Sequence, residues 1–146
     1  MLSSALEGLI NMYQDTNSKV REAISWLTVR ICEFHPEVIM NPQVAQVYIP
    51  TLIHSLKDAP RISNQCCDAF QKLAISCAPQ NGEPSNCITP YFQDILQVLL
   101  QNSTRCDNPG GVDLMNSSYQ AMTELIQHAC SSSKQIIHQL LLTILQ

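Results

Sequence analysis

Cys66, Cys67 and Asp68 are the residues that most suggest chemistry in this 146-residue chain. Two adjacent thiols beside a carboxylate can belong to a metal site, cycle as a redox couple, or simply fill a helix. Seven cysteines occur, at positions 32, 66, 67, 77, 87, 106 and 130, an odd count with no CxxC spacing. Zinc takes three protein ligands at catalytic sites and four at structural ones. The nearest pair, Cys32 and His35 at i,i+3, has no second well-spaced pair to complete such a set. The same pair could act as nucleophile and base only if the fold brought the two side chains together. No GxGxxG, P-loop, GxSxG or HExxH pattern is present. Gly110–Gly111 precedes a helix start, where backbone amides can hold an anion, but only Arg105 accompanies it. An ordinary inter-helix loop is expected there. A thiol or zinc-dependent protein is thus a remote alternative, and the prediction is no enzyme, no catalytic residue, no cofactor and no metal.

The elements that must carry these residues are helices. Apolar positions recur at helical spacing almost throughout, and strand patterns are nearly absent. Residues 5–13 form a first helix, and "QDTNSK" then supplies turn and capping residues. A longer helix over 20–35 follows and stops at Pro36. Residues 44–58 are a shorter helix, "APR" a turn, and 62–78 a second long helix. After the polar loop "PQNGEPSNC" come a short helix over 90–102, the loop "STRCDNPGG", and a third long helix over 112–130. A last helix over 135–146 is rich in Leu and Ile.

The organisation is therefore short helix, polar turn, long helix, three times, with a final half. Leu27, Ala69 and Ala121 recur at intervals of about 42 and about 52 residues, against a period of roughly 40–47 for HEAT and armadillo repeats. The fold class predicted is all-α: a right-handed α-solenoid of HEAT-type antiparallel helical hairpins, about three and a half repeats. The hairpins fall at about 2–36, 44–78 and 89–130, with the half repeat at 133–146. Because a single hairpin cannot bury its apolar face, and the last helix ends the chain with that face open, the expectation is a single segment of a longer solenoid.

On a wheel of about 100° per residue, Ile62, Cys66, Ala69, Leu73 and Cys77 form the buried stripe of the second long helix. Cys66 is then a small hydrophobe in the core, Cys67 lies on the flank, and Asp68 points away from the core. On the first long helix, Trp26 falls off the stripe, on the side of Glu22, Arg30 and Glu33. Two readings stay open for it: a partly buried packing residue at a repeat junction, or a recognition residue whose ring and nearby carboxylates suit Lys or Arg. Tyr119 on the third long helix is a weaker candidate of the same kind.

With 45% hydrophobic and 14% charged residues the composition excludes disorder, and a formal charge of −4 argues against nucleic acid. No apolar run approaches a membrane span of about 20 residues, so no membrane insertion is expected. No secretion signal is visible at the N-terminus, and reduced thiols fit a cytosolic or nuclear protein.

"VREAISWLTVRICEFHPE" resembles the importin-beta (karyopherin-beta) segment in which a long inner helix carries a Trp, then Arg-Ile-Cys-Glu, then Pro. "APRISNQCCDAFQKLA" and "SSYQAMTELIQHA" are similar to that family's next two inner helices, in the same order. The resemblance implies a central HEAT block of a nuclear import receptor whose long inner helices line a concave groove. Such a groove binds the basic segment of the adaptor importin-alpha, or a cargo nuclear localisation signal directly. It implies release by Ran-GTP, Phe-Gly nucleoporin contacts mostly outside this segment, and residence in cytoplasm, nucleus and nuclear pore. By match of position, Trp26 takes the groove tryptophan and Glu22 its preceding acidic position. Asn64 and Gln65 take polar groove positions, and Tyr119 the aromatic of the third inner helix. Asp68 stands where the family usually has a second tryptophan, and the family's acidic Ran-contacting loop has no counterpart here. A generic HEAT scaffold organising a multiprotein complex is the alternative, and it expects Trp26 to be fully buried.

Overall fold

The short turn between the first two helices shows how local chemistry sets the elements. The Asp15 carboxylate accepts from the Asn17 amide at 2.8 Å, and the Asn17 side chain accepts from the Lys19 amide at 2.9 Å. The second contact caps a helix that begins one residue after Asn17. The computed structural model describes residues 4–77, 88–105, 111–129 and 133–145. Along them run α1 (Ser4–Met12), α2 (Ser18–Phe34), α3 (Pro36–Met40), α4 (Pro42–Ser55) and α5 (Pro60–Ser76). They are followed by a 3-10 turn (Thr89–Tyr91), α6 (Phe92–Asn102), α7 (Gly111–Gln127) and α8 (Lys134–Leu145). No strand occurs among the described residues.

Pro36 ends α2, as its ring requires, but it also opens the five-residue α3, which the hydrophobic pattern did not announce. Ile39 anchors this turn in the core. The helix expected from residue 44 begins at Pro42 instead, because the Asn41 side chain caps the Gln43 amide at 3.0 Å and Pro42 needs no N–H donor there.

The long helices α2, α5 and α7 stack side by side, with α5 in the middle. Glu22 meets Arg61, and the Ser25 side chain lies beside the Cys66 thiol, so residue numbers rise together and α2 and α5 run parallel. Cys67 Sγ lies 3.8 Å from Ser118 Oγ, and Ala74 shares a hollow with Leu125, which makes α7 parallel to α5 as well. The shorter helices pack against this layer, α4 against α5 and α6 against α7.

Flanked on both sides, α5 buries a wide arc that includes Phe70, Leu73 and Ala69. Burial of each large apolar side chain contributes about 1.5–3 kcal/mol. This arrangement corrects the expectation for Cys67, which is fully buried rather than on the flank. A one-sided stripe describes a helix with one neighbour layer, and α7 covers the other side of α5.

Two polar knots join successive hairpins. Thr28 Oγ1, fully buried, donates to the Ile24 carbonyl at 2.9 Å and bonds the hydroxyls of Tyr13 and Tyr48, the latter at 2.7 Å. Asp58, in the turn between α4 and α5, takes Arg21 Nε at 2.8 Å and Nη2 at 3.3 Å, while its carbonyl accepts from Arg105 Nη1 at 2.9 Å. The turns of three consecutive hairpins are thereby tied at one residue.

Candidate functional site

Trp26, Asp68 and Tyr119 follow the residues through which the long helices touch, so they stand near one level of α2, α5 and α7. Trp26 is 51% exposed and Tyr119 is 49% exposed, a large aromatic surface left open. Neither ring fills the core, although each sits one residue from a buried serine, Ser25 and Ser118.

Asp68 departs from its expected position. It is half-buried instead of projecting fully into solvent. Burial raises its carboxyl above the ordinary value, only partly offset by the nearby Lys72 charge. It accepts a long hydrogen bond from Gln71 Nε2 at 3.5 Å. Gln65 and Asn64 are also half-buried, and the Asn64 Oδ1 atom is sealed from solvent with no hydrogen-bond partner among the described residues.

The carboxylates near Trp26 are not free. Glu33 Oε2 holds Arg30 Nη1 at 2.8 Å, and the Arg30 guanidinium carbon lies 5.3 Å from the centre of the Trp26 ring. Glu22 meets Arg61 Nη1 at 3.9 Å, a loose contact with 84% of the arginine side chain exposed. Sequence reasoning missed both arginines as partners. The spacing Trp26, Arg30, Glu33 at i, i+4 and i+7 carries the first signal, since such residues are neighbours on one helix face. The Arg61 contact crosses between helices and has no sequence signal.

The thiol and metal candidates disperse. Cys32 is fully buried, whereas the His35 side chain is exposed and pairs with Glu37 at 3.2 Å. Burial pushes the Cys66 thiol far up and that of Cys67 up to about 12. Among the described residues no group of three or more His, Cys, Asp or Glu is placed to hold a metal ion. Cys87, Cys106, Cys130 and Gly110 lie outside the described residues. A hollow of about 310 Å³ between α6 and α8 is floored by Leu96, Leu100, Ile136 and Leu140 and rimmed by glutamines. It carries no charged side chain and so offers a basic ligand nothing to pair with.

A family model described as "Importin subunit beta-1-like, TPR repeats" matches residues 47–146. The chain belongs to the importin beta-1-like family. It is 29% identical to importin subunit beta-1 of Arabidopsis thaliana over 96% of its own length and 16% of that relative. The corresponding protein of Schizosaccharomyces pombe is also 29% identical, over 99% of this chain and 17% of the relative. The chain thus spans about a sixth of the curated relatives it matches. A solved crystal structure of importin beta in an ammonium sulfate condition superposes on 98% of the chain and 16% of that structure's length, with TM-score 0.85 and 26% identity. The all-helical architecture is that of the importin-beta solenoid, and the family resemblance seen in the three long helices holds.

Proposed function

We propose that this chain is a single HEAT segment of a nuclear transport receptor, and that its long helices contribute part of a surface for a basic partner. The hairpins are those of about 2–36, 44–78 and 89–130, with a half repeat at 133–146. The partner is the basic segment of an importin-alpha adaptor or a cargo nuclear localisation signal. Trp26 and Glu22 carry the contact, Tyr119, Asn64 and Gln65 extend it, and Asp68 offers a carboxylate where an aromatic is replaced. Ran-GTP and Phe-Gly nucleoporins act on the whole receptor, which shuttles between cytoplasm and nucleus. The work is binding and release, with no bond made or broken by this chain.

The observation that carries this reading is the exposure of Trp26. A packed scaffold residue would be buried, and this ring is half open on a long helix beside Glu22. Rings of this kind provide the strongest single contacts at interfaces. Membership of the importin beta-1-like family supports the class of partner.

The test is titration of a fluorescein-labelled Lys/Arg-rich helical peptide into the chain at two salt concentrations. Charge pairing predicts weaker binding as the Debye length shrinks from about 10 Å at 0.1 M salt. The double variant Glu22→Ala, Trp26→Ala should lose at least about tenfold in affinity, a central aromatic being worth about 2 kcal/mol or more. Equal affinity in the double variant removes the site assignment.

A further inference from the structure

We infer that Arg30 is a built-in competitor for the ring of Trp26, occupying one of its faces until a cationic side chain of a partner displaces it. The inference rests on the basic-partner reading above. Its observation is separate: the guanidinium carbon of Arg30 lies 5.3 Å from the ring centre, inside the range in which a cation is held over an aromatic face. Glu33 also holds that guanidinium, accepting from Nη1 at 2.8 Å. The three residues form one stripe of α2, so the contact is made within that helix and needs no neighbouring one.

An incoming lysine or arginine meets two obstacles at this place. One face of the ring is already filled by a cation of the same chemistry, and that cation repels the newcomer. Glu33, the carboxylate next to Arg30 on the stripe, is also engaged. A partner that supplies a single cation gains little by the exchange. One that presents several basic side chains gains enough elsewhere to displace Arg30 and pair it with its own acidic or polar groups. Arg30 therefore sets a threshold of charge below which ligands are rejected.

Removing the competitor should tighten binding. Arg30→Ala is expected to raise the affinity of the Lys/Arg-rich peptide about two- to fivefold, the scale of a cation–π contact at an exposed position. The variant also frees the charge of Glu33, so Arg30→Ala with Glu33→Gln separates the two effects, and most of the gain should survive in it. In a Trp26→Leu background the gain from Arg30→Ala should largely vanish. Trp26 is the chain's single tryptophan, so its fluorescence reports the contact without any ligand, and Arg30→Ala should change its emission in the folded protein.

Four results overturn the inference. Unchanged Trp26 emission in Arg30→Ala shows that the guanidinium does not occupy the ring. Peptide bound by the parent chain but held equally or more weakly by Arg30→Ala removes the competition and leaves the basic-partner reading intact. A gain of equal size in the Trp26→Leu background reduces the effect to general charge. Absence of peptide binding in all variants, with the emission change present, defeats the basic-partner reading and the competitor role with it.

Discussion

Replacing Thr28 by valine tests what holds the first two hairpins together. Thr28 is fully buried, and its hydroxyl is used to capacity: it donates to the Ile24 carbonyl and accepts from Tyr13 and Tyr48. The two phenol rings meet edge to face at 6.2 Å, so neither can turn away without losing packing. Burial drives the Tyr13 phenol far above its ordinary range and that of Tyr48 up to about 12, keeping both neutral donors. Valine preserves the shape and removes the oxygen. Tyr13 retains the Ile24 carbonyl at 3.4 Å as a second acceptor, whereas Tyr48 is left with none among the described residues. An unsatisfied buried hydroxyl costs about 1–3 kcal/mol and the lost bonds add about 1 kcal/mol, so Thr28→Val should destabilise by about 2–4 kcal/mol. Tyr48→Phe removes the donor that valine would orphan and should cost about 1 kcal/mol. The double variant should therefore be no less stable than Thr28→Val alone. Urea unfolding followed by circular dichroism measures the change, with native-state hydrogen exchange locating it at α1, α2 and α4, because stacked repeats can open piecewise. A Thr28→Val protein within about 0.5 kcal/mol of the parent, or strictly additive single variants, refutes the shared-hydroxyl account.

Acid should weaken the Asp58 knot. Burial alone would raise the Asp58 carboxyl, but Arg21 and the Ala59 amide outweigh it and hold it below its ordinary 3.8. A depressed carboxyl contributes stability above its unfolded value and loses it as pH falls through the folded one. The gap in urea midpoint between the parent and Asp58→Asn should thus be constant above about pH 5 and close below about pH 4; a gap independent of pH removes Arg21–Asp58 as its cause. The thiols offer a second check. Cys66 and Cys67 should resist iodoacetamide at pH 8 in the folded chain and react after unfolding, read by peptide mass spectrometry; labelling at the rate of a free thiol in the native state contradicts their burial.

No helix among the described residues is long and apolar enough to cross a membrane, and Leu141 and Leu142 of α8 are half exposed. A solenoid repeat presents apolar faces to its neighbours along the stack. The same logic explains why α5, the helix with long neighbours on both sides, has the least solvent-exposed flank.

Local periodicity and punctuation determined most of the fold. The stripes of α2, α5 and α7, the Asx cap at Asn17 and the stop at Pro36 are each written within a few residues, and so was the recurrence that marks a helical solenoid. Asn41–Pro42 was equally legible as a cap followed by a first-turn proline. The hydrophobic pattern alone hid it, because the run begins two residues later. The order of residues in the three long helices also carried the family. What only the tertiary structure decided lies between elements. The burial of Cys67 depends on α7 covering the far side of α5. The Asp58 knot depends on Arg21 and Arg105 reaching one turn from different hairpins. Arg61 reaches Glu22 from a different helix, so no spacing along the chain could announce it. Helical periodicity states which side of a helix is apolar; how many neighbours that helix has, and which charges they bring, is a property of the stack.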